Sequence, residues 1–241
     1  MPARNEAWAI GASLRVALKW NDEVIVLLHA CEDETPDIAL QVQAEHPGRV
    51  HLITESNPNW AEMSHRQRLL IEARKRGATH VSIVDCDEIL TGNLLPTIRQ
   101  QIEQLPPGAF MHVGMPCIWR GLDQYRVDGR IWANRFDLCL AFRDAPGLSW
   151  MATNGYDHHH REPHGARLAF RGYGMNGGVM HLQWASWHRL AAKQTHYQLM
   201  ERVKYPAMSA HDIAHRYSFA LDESGLTVQP TPREWWEPYR D

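Results

Sequence analysis

The sequence predicts an α/β protein whose central sheet is mostly parallel and flanked by helices. Three observations carry this expectation. Short strand-like stretches recur at Val24–Leu28, Val50–Thr54 and Val81–Val84, the first a continuous apolar run, as in a strand covered on both faces. Stretches with helical spacing and helix punctuation separate them. Each run also ends on a polar residue, His29, Glu55 or Asp85, at the carboxyl edge where open sheets of this class bind ligands. Residues 1–109 form the α/β half, and residues 110–241 read as an α+β elaboration of the same domain.

Taken in order, Asn5 to Leu18 carries Trp8, Ile10, Leu14 and Ala17 without a proline and predicts the first helix. After the strand at Val24–Leu28, Thr35-Pro36-Asp37 opens a second helix with a hydroxyl cap, a first-turn proline and an acid at the positive helix end. Ile38 and Val42 share its inner face, and Pro47-Gly48 ends it. Ser64–Arg76 predicts a basic helix with Leu69, Leu70 and Ala73 inward and Gly77 at its C-cap. Asn93 is expected to cap a helix through Gln104, which Pro106-Pro107-Gly108 stops. In the second half, Phe110–Ile118 and Leu138–Phe142 predict strands. Residues 186–203 predict a helix with Trp187, Leu190, Ala191 and Gln194 at helical spacing, so that Trp187 packs as core. The segment from Pro230 to Pro238 holds too much proline for a long helix, and its Trp235 and Trp236 are expected to dock on the body or on a partner.

Composition narrows the function classes. The chain has 241 residues, enough for one sizeable core, with 44% apolar and 22% charged residues. A net charge of -3 supplies no basic field for nucleic acid. No apolar run approaches the length of a membrane span, and Arg4, Glu6, Arg15 and Lys19 break up the first twenty residues. The four cysteines, Cys31, Cys86, Cys117 and Cys139, are scattered without metal-site spacing and read as reduced thiols of a cytoplasmic protein.

The densest chemical signal is Val84-Asp85-Cys86-Asp87-Glu88. In an extended chain Asp85 and Asp87 share one side of the backbone. Two carboxylates at the carboxyl end of a buried strand can hold a hard divalent cation, which in turn holds a phosphate. The alternative is a polar strand end capping a turn. No Gly-x-Gly-x-x-Gly follows the first strand and no Gly-Lys-Ser/Thr occurs, so any nucleotide phosphate would be held through a metal.

Pro2-Ala3-Arg4-Asn5-Glu6-Ala7 resembles the Pro-x-x-Asn-Glu opening of family 2 glycosyltransferases, inverting nucleotide-sugar enzymes with the GT-A fold. The order that follows is similar over about the first hundred residues. It comprises the strand Val24–Leu28, the polar loop His29-Ala30-Cys31-Glu32-Asp33-Glu34-Thr35, Arg66 on a helix, and a strand ending in Asp85-Cys86-Asp87. His181-Leu182-Gln183-Trp184, followed by Trp187, Lys193-Gln194, Tyr197 and Glu201, is similar to the His-bearing strand and helix that close many of these enzymes. Two features depart from the family. Leu28-His29 stands where an acid usually faces the nucleotide base, which leaves the nucleotide open. A full apolar strand usually precedes the Pro-x-x-Asn-Glu, whereas Met1 alone precedes Pro2; this predicts a start upstream of Met1 or a trimmed sheet edge.

The resemblance implies a metal-dependent transfer of a sugar from a nucleotide-diphosphate donor to a glycan, lipid-linked or other hydroxyl acceptor. Peripheral membrane contact is compatible with that acceptor range. Pro2, Ala3, Arg4, Glu6, His29, Arg66 and Asp85 would line the donor. Asp87, Asp85 and His181 would hold Mn²⁺ or Mg²⁺. Glu88 receives no ligand role and reads as solvated or as the start of a turn. Alternative readings are a structural histidine for His181 and a solvated helix residue for Arg66. The base that takes the acceptor proton is assigned to Asp157, then Glu162, with Asp137 and Asp144 behind them. A zinc site through His158 and His160 is a weaker alternative within Tyr156–Glu162, because adjacent histidines face different ways. Trp119, Tyr125, Trp132, Trp150 and Tyr156 suit sugar stacking or ordinary core packing. Two rival functions remain: a non-catalytic sugar-nucleotide or glycan binder of the same fold, and a haloacid-dehalogenase-like phosphatase, whose Asp-x-Asp also follows a buried strand.

Overall fold

The computed structural model describes residues 1–128, 135–150, 161–172, 174, 176–218 and 220–240. The chain is an α/β protein in which a three-stranded parallel sheet flanked by helices meets mixed and antiparallel sheets. The first half runs β1 (Pro2–Ala3), α1 (Ile10–Ala17), β2 (Val24–His29), α2 (Thr35–Glu45), β3 (Val50–Glu55), α3 (Glu62–Lys75), β4 (His80–Ser82), β5 (Glu88–Leu90) and α4 (Leu95–Glu103). Then come β6 (Ala109–Met115), β7 (Gln124–Arg126), β8 (Arg135–Arg143), β9 (Arg167–Arg171) and β10 (Val179–His181). The chain closes with α5 (Trp187–Lys204), α6 (Ala210–Ser218), β11 (Val228–Pro230) and α7 (Arg233–Trp236).

β2 lies between β1 and β3, parallel to both, with Leu28 opposite Ala3 and His29 opposite Glu55. Its continuous apolar run is explained by burial on both faces: Val26 packs with Ile10 and Leu14 of α1 and Val42 of α2. The first helix starts at Ile10, later than the apolar spacing predicts, because the preceding backbone donors are captured from outside. Glu6 N–H donates to Thr35 Oγ1 (2.7 Å) and Ala7 N–H to Asp33 Oδ2 (3.1 Å). Asn5 takes φ 55°, and its Oδ1 accepts the Glu32 N–H. Thr35 is therefore a first-turn residue whose hydroxyl serves the other loop, and Asp33 Oδ1 accepts its N–H (3.0 Å).

The parallel sheet is smaller than predicted. β4 pairs antiparallel with β8 in a four-stranded sheet of order β4-β8-β6-β9, where β6 and β8 are antiparallel and β6 and β9 parallel. A cleft of about 490 Å³ lies between β4 and the first sheet; Met1 and Ile25 border it on one side, Val81 and Ile83 on the other, and residues of α1, α3 and α4 also line it. The edge facing it is only Pro2–Ala3, too short to ladder across. The Met1 amino group donates to Ile25 O (2.9 Å), and burial lowers its pKa to about 6.

Several smaller expectations change as well. Asn93 caps no helix: Gly92–Leu94 is a single tight turn, and Asn93 Nδ2 donates to Asn176 O (2.8 Å). Trp187 is 36% exposed, with the Arg120 guanidinium 4.2 Å from its ring centre, while Leu190 and Gln194 of the same helix are buried. Trp119, Tyr125 and Trp150 are buried core residues. Trp235 docks on the body, packed with Tyr125, Ile118 and Met180, and Tyr239 Oη donates to Leu90 O (2.7 Å). No helix among the described residues is long and apolar enough to cross a membrane. All four cysteines are free thiols.

Candidate functional site

β4 stops at Ser82, and the chain turns through Asp85-Cys86-Asp87 without staying extended. Glu88 N–H donates to Asp85 O (3.1 Å), and Glu88 Oε2 accepts the Asp85 N–H (2.9 Å). Period-two geometry therefore does not apply to the two aspartates, and each meets its own set of cations. The residue between them is anchored to the first sheet and α1. Ser13 Oγ donates to Cys86 O (2.5 Å), and the Cys86 thiol donates to Pro2 O (3.2 Å).

Asp85 lies between two guanidinium groups, Arg161 Nη1 at 3.2 Å and Arg66 Nη2 at 3.6 Å. Burial works against its charge, but Arg161 and Arg66 hold its carboxyl below the ordinary range. Arg66 also donates through Nε and Nη2 to Glu62 Oε1, one turn back on α3. It is a buried partner of carboxylates and not a solvated helix residue.

Glu88 corrects the sequence reading more sharply, since its carboxylate is buried where solvent or a free turn was expected. Its two oxygens accept from Arg161 Nη1 (2.5 Å) and Nη2 (2.8 Å), and Nη2 also donates to Ile83 O (2.7 Å). Glu88 thus clamps the segment carrying Arg161 and Glu162 onto the aspartate turn. The geometry is a bidentate arginine–carboxylate fork, the strong form of this contact.

Asp87 faces the other way, and three distant parts of the chain converge on it. His181 Nε2 lies 3.5 Å from Asp87 Oδ2, and Lys193 Nζ of α5 donates to the same oxygen at 3.0 Å. Burial opposes the Asp87 charge, but Lys193 and His181 outweigh it and hold the carboxyl well below the usual carboxylate range. β10 pairs antiparallel with β5, setting His181 opposite Glu88. The register depends on Gly178, whose φ is +151° and whose missing side chain admits the Gly114 carbonyl. Thr91 and Gly178 then exchange bonds, N–H to O at 2.8 Å and N–H to Oγ1 at 3.0 Å.

The opening loop supplies the third wall. Glu6 accepts from Trp8 Nε1 (2.6 Å) and sits 3.5 Å from Arg189 Nη2, while the Arg189 guanidinium stacks 4.5 Å from the Trp8 ring centre. Burial is the main reason the Glu6 carboxyl is raised. Pro2 and Ala3 form β1, and Arg4 Nη1 donates to Pro58 O (2.6 Å). His29 is fully buried; its Nε2–H donates to Asn57 O (2.7 Å), and its ring packs against His65 (4.5 Å) and Trp60 (5.3 Å). Leu28-His29 thus begins an aromatic cluster at the carboxyl end of β2, where the resemblance led one to look for an acid.

The base assignments divide. Asp157, with His158 and His160 of the zinc alternative and Tyr156 of the aromatic set, lies outside the described residues, as does Trp132. Glu162 follows the Arg161 clamp and is half-buried. Asp137 is exposed on β8. Asp144 is engaged elsewhere: Arg74 Nε and Nη2 donate to its two oxygens at 2.7 Å each, at the amino end of β4 and opposite the aspartate turn.

Asp87 and His181 are the residues that could hold a divalent ion. Asp87 Oδ2 and His181 Nε2 lie 3.5 Å apart, and carboxylate with imidazole is a donor set that Mn²⁺ or Mg²⁺ accepts, whereas Asp85 Oδ1 faces Arg66. Among the described residues no three His, Cys, Asp or Glu side chains gather tightly enough to hold a metal alone.

Sequence reading missed Arg161, Glu88 and Lys193 as parts of the site. The signal for Glu88 was its place directly after the second aspartate. For Lys193 it was the spacing of Arg189 and Lys193, which are neighbours on one helical face. Arg161 had no local signal. Comparison with known proteins finds no matching family model and no matching curated protein.

Proposed function

We propose that the chain is a cytoplasmic, metal-dependent glycosyltransferase of GT-A architecture. It would move a sugar from a nucleotide-diphosphate donor to a hydroxyl acceptor with inversion. The observation that carries the reading is the convergence of His181 and Lys193, from two late elements, on Asp87 at the turn after β4. A buried carboxylate with an imidazole and an ammonium on one oxygen is the kind of charged cluster that functional sites concentrate.

In this reading Asp87 and His181 would hold Mn²⁺ or Mg²⁺, with Asp85 in support. The ion supplies Lewis-acid stabilisation of charge on the departing diphosphate. The acceptor oxygen attacks the anomeric carbon from the face opposite the diphosphate. The glycosidic C–O bond to phosphate breaks with its electron pair on oxygen, and a carboxylate takes the acceptor proton. Glu162 is the described carboxylate nearest in sequence to the clamp, and Asp157 remains the first choice in this proposal. Glu6, Arg4 and the backbone of β1 orient the donor from the other side. Arg161 and Arg66 keep Asp85 ionised at neutral pH. The phosphatase alternative is disfavoured because it needs Asp85 as a free nucleophile, and Asp85 lies between two guanidinium groups.

The test is a thermal-shift panel of UDP, GDP, CDP and dTDP with and without Mn²⁺, followed by donor turnover. Metal-dependent stabilisation by one diphosphate, abolished in Asp87→Ala, is expected. If no diphosphate stabilises the fold and Asp87→Ala changes nothing, the reading fails. Binding without turnover on any donor and acceptor panel would leave a sugar-nucleotide binder.

A further inference from the structure

We propose that Lys193 is a tethered cation that holds Asp87 in the donor-free protein, yields it to the divalent ion, and then binds the donor's diphosphate. The inference rests on the reading above and concerns how the same site is loaded.

Asp87 Oδ2 has two partners, Lys193 Nζ at 3.0 Å and His181 Nε2 at 3.5 Å. An ion ligated by both Oδ2 and Nε2 would sit about 2.1 Å from each. The ammonium cannot stay on that oxygen beside it, because two cations would then face each other at contact distance. Lys193 can leave. Its side chain is 30% exposed and ends a flexible four-carbon stem. It also has somewhere to go. Arg189 lies one turn earlier on α5, so the two cations flank one face of that helix, and Arg189 is already turned to the Glu6 loop. A diphosphate on the metal would offer the displaced ammonium new anionic oxygens. The ion and the nucleotide should therefore bind with positive coupling, each removing an obstacle to the other.

Mn²⁺ binding, read by electron paramagnetic resonance or calorimetry without nucleotide, tests this directly. Lys193→Met is expected to bind Mn²⁺ about tenfold more tightly than wild type, since no internal cation competes. With Mn²⁺ saturating, its affinity for the diphosphate identified above is expected to fall about tenfold, and the coupling between ion and nucleotide to shrink. Lys193→Arg should retain the competition, and Lys193→Gln repeats the Met readout if Met disturbs α5. If Mn²⁺ binds wild type, Asp87→Asn removes it, and Lys193→Met leaves the affinity unchanged or weaker, the tethered-cation inference is overturned while the transferase reading stands. If Mn²⁺ binds both proteins only together with a nucleoside diphosphate and equally well, the tethered-cation inference is overturned, and if neither binds Mn²⁺ even with UDP, GDP, CDP or dTDP present, both fall.

Discussion

Arg161→Met probes the clamp that joins the two halves of the site. In the native protein the Arg161 guanidinium serves both oxygens of Glu88, one oxygen of Asp85 and the carbonyl of Ile83. The Glu88 side chain is only 3% exposed, so its charge has no water to return to when the arginine is removed. Stranding one partner of a buried ion pair costs about 3–5 kcal/mol, and the Ile83 carbonyl loses a donor worth about 1 kcal/mol. At about 2–4 °C per kcal/mol for a chain of this size, the melting temperature should fall by roughly 8–24 °C. Adding Glu88→Leu removes the stranded carboxylate, and the double variant should recover to within about 2 kcal/mol of wild type, as apolar replacement of buried pairs generally does. Urea unfolding followed by tryptophan fluorescence measures all members of the cycle. A loss below about 1 kcal/mol for Arg161→Met, the value of an exposed pair, or a double variant no better than the worse single, would refute the clamp.

Three further outcomes are expected. Burial first, and then the neighbouring His29, hold the His65 imidazole down to about 4, against an ordinary value of 6.5. As pH falls the unfolded chain takes up that proton before the folded one. The contribution is therefore full above about 6.5, declines between 6.5 and 4, is lost below, and amounts to about 3 kcal/mol at most. His65→Phe should flatten that part of the urea-midpoint profile relative to wild type. Gly178→Ala should lower stability by about 1–3 kcal/mol and weaken Mn²⁺ binding, because its Cβ would collide with the Gly114 carbonyl and push the His181 strand away. Gly174→Ala, facing open space at φ +53°, should cost only backbone strain and leave Mn²⁺ binding intact. Trp235→Ala should cost about 3–5 kcal/mol in thermal unfolding, since that ring is 1% exposed in the core beneath the tail; a loss under about 1 kcal/mol would mean the tail is not docked as described.

β2 was legible because its burial leaves an unbroken apolar run, and β2 and β3 match the predicted strands within a residue, whereas the two-residue β1 was not foreseen. The sheet assignment of β4 was not legible. Val81–Val84 reads the same whether its neighbour is parallel or antiparallel, and only the partner, β8, decides. Asp85, Asp87 and His181 were legible as types at strand ends. Their separation onto two faces of a turn was not, since it depends on a Glu88 bond three residues away and on an arginine over seventy residues later. Trp187 failed for a related reason. Helical spacing names a face, but the Arg120 guanidinium lying over the ring holds it at the surface.

The space beside β1 has a mechanical consequence. Where strands are laddered, one sheet edge cannot slide without breaking a row of bonds. Between β1 and β4 no such row exists, and Cys86 bridges the interval through its carbonyl to Ser13 and its thiol to Pro2. The turn that carries Asp87 is therefore tied to the first sheet and α1 by the two bonds of Cys86 and by packing, with no strand ladder between β1 and β4.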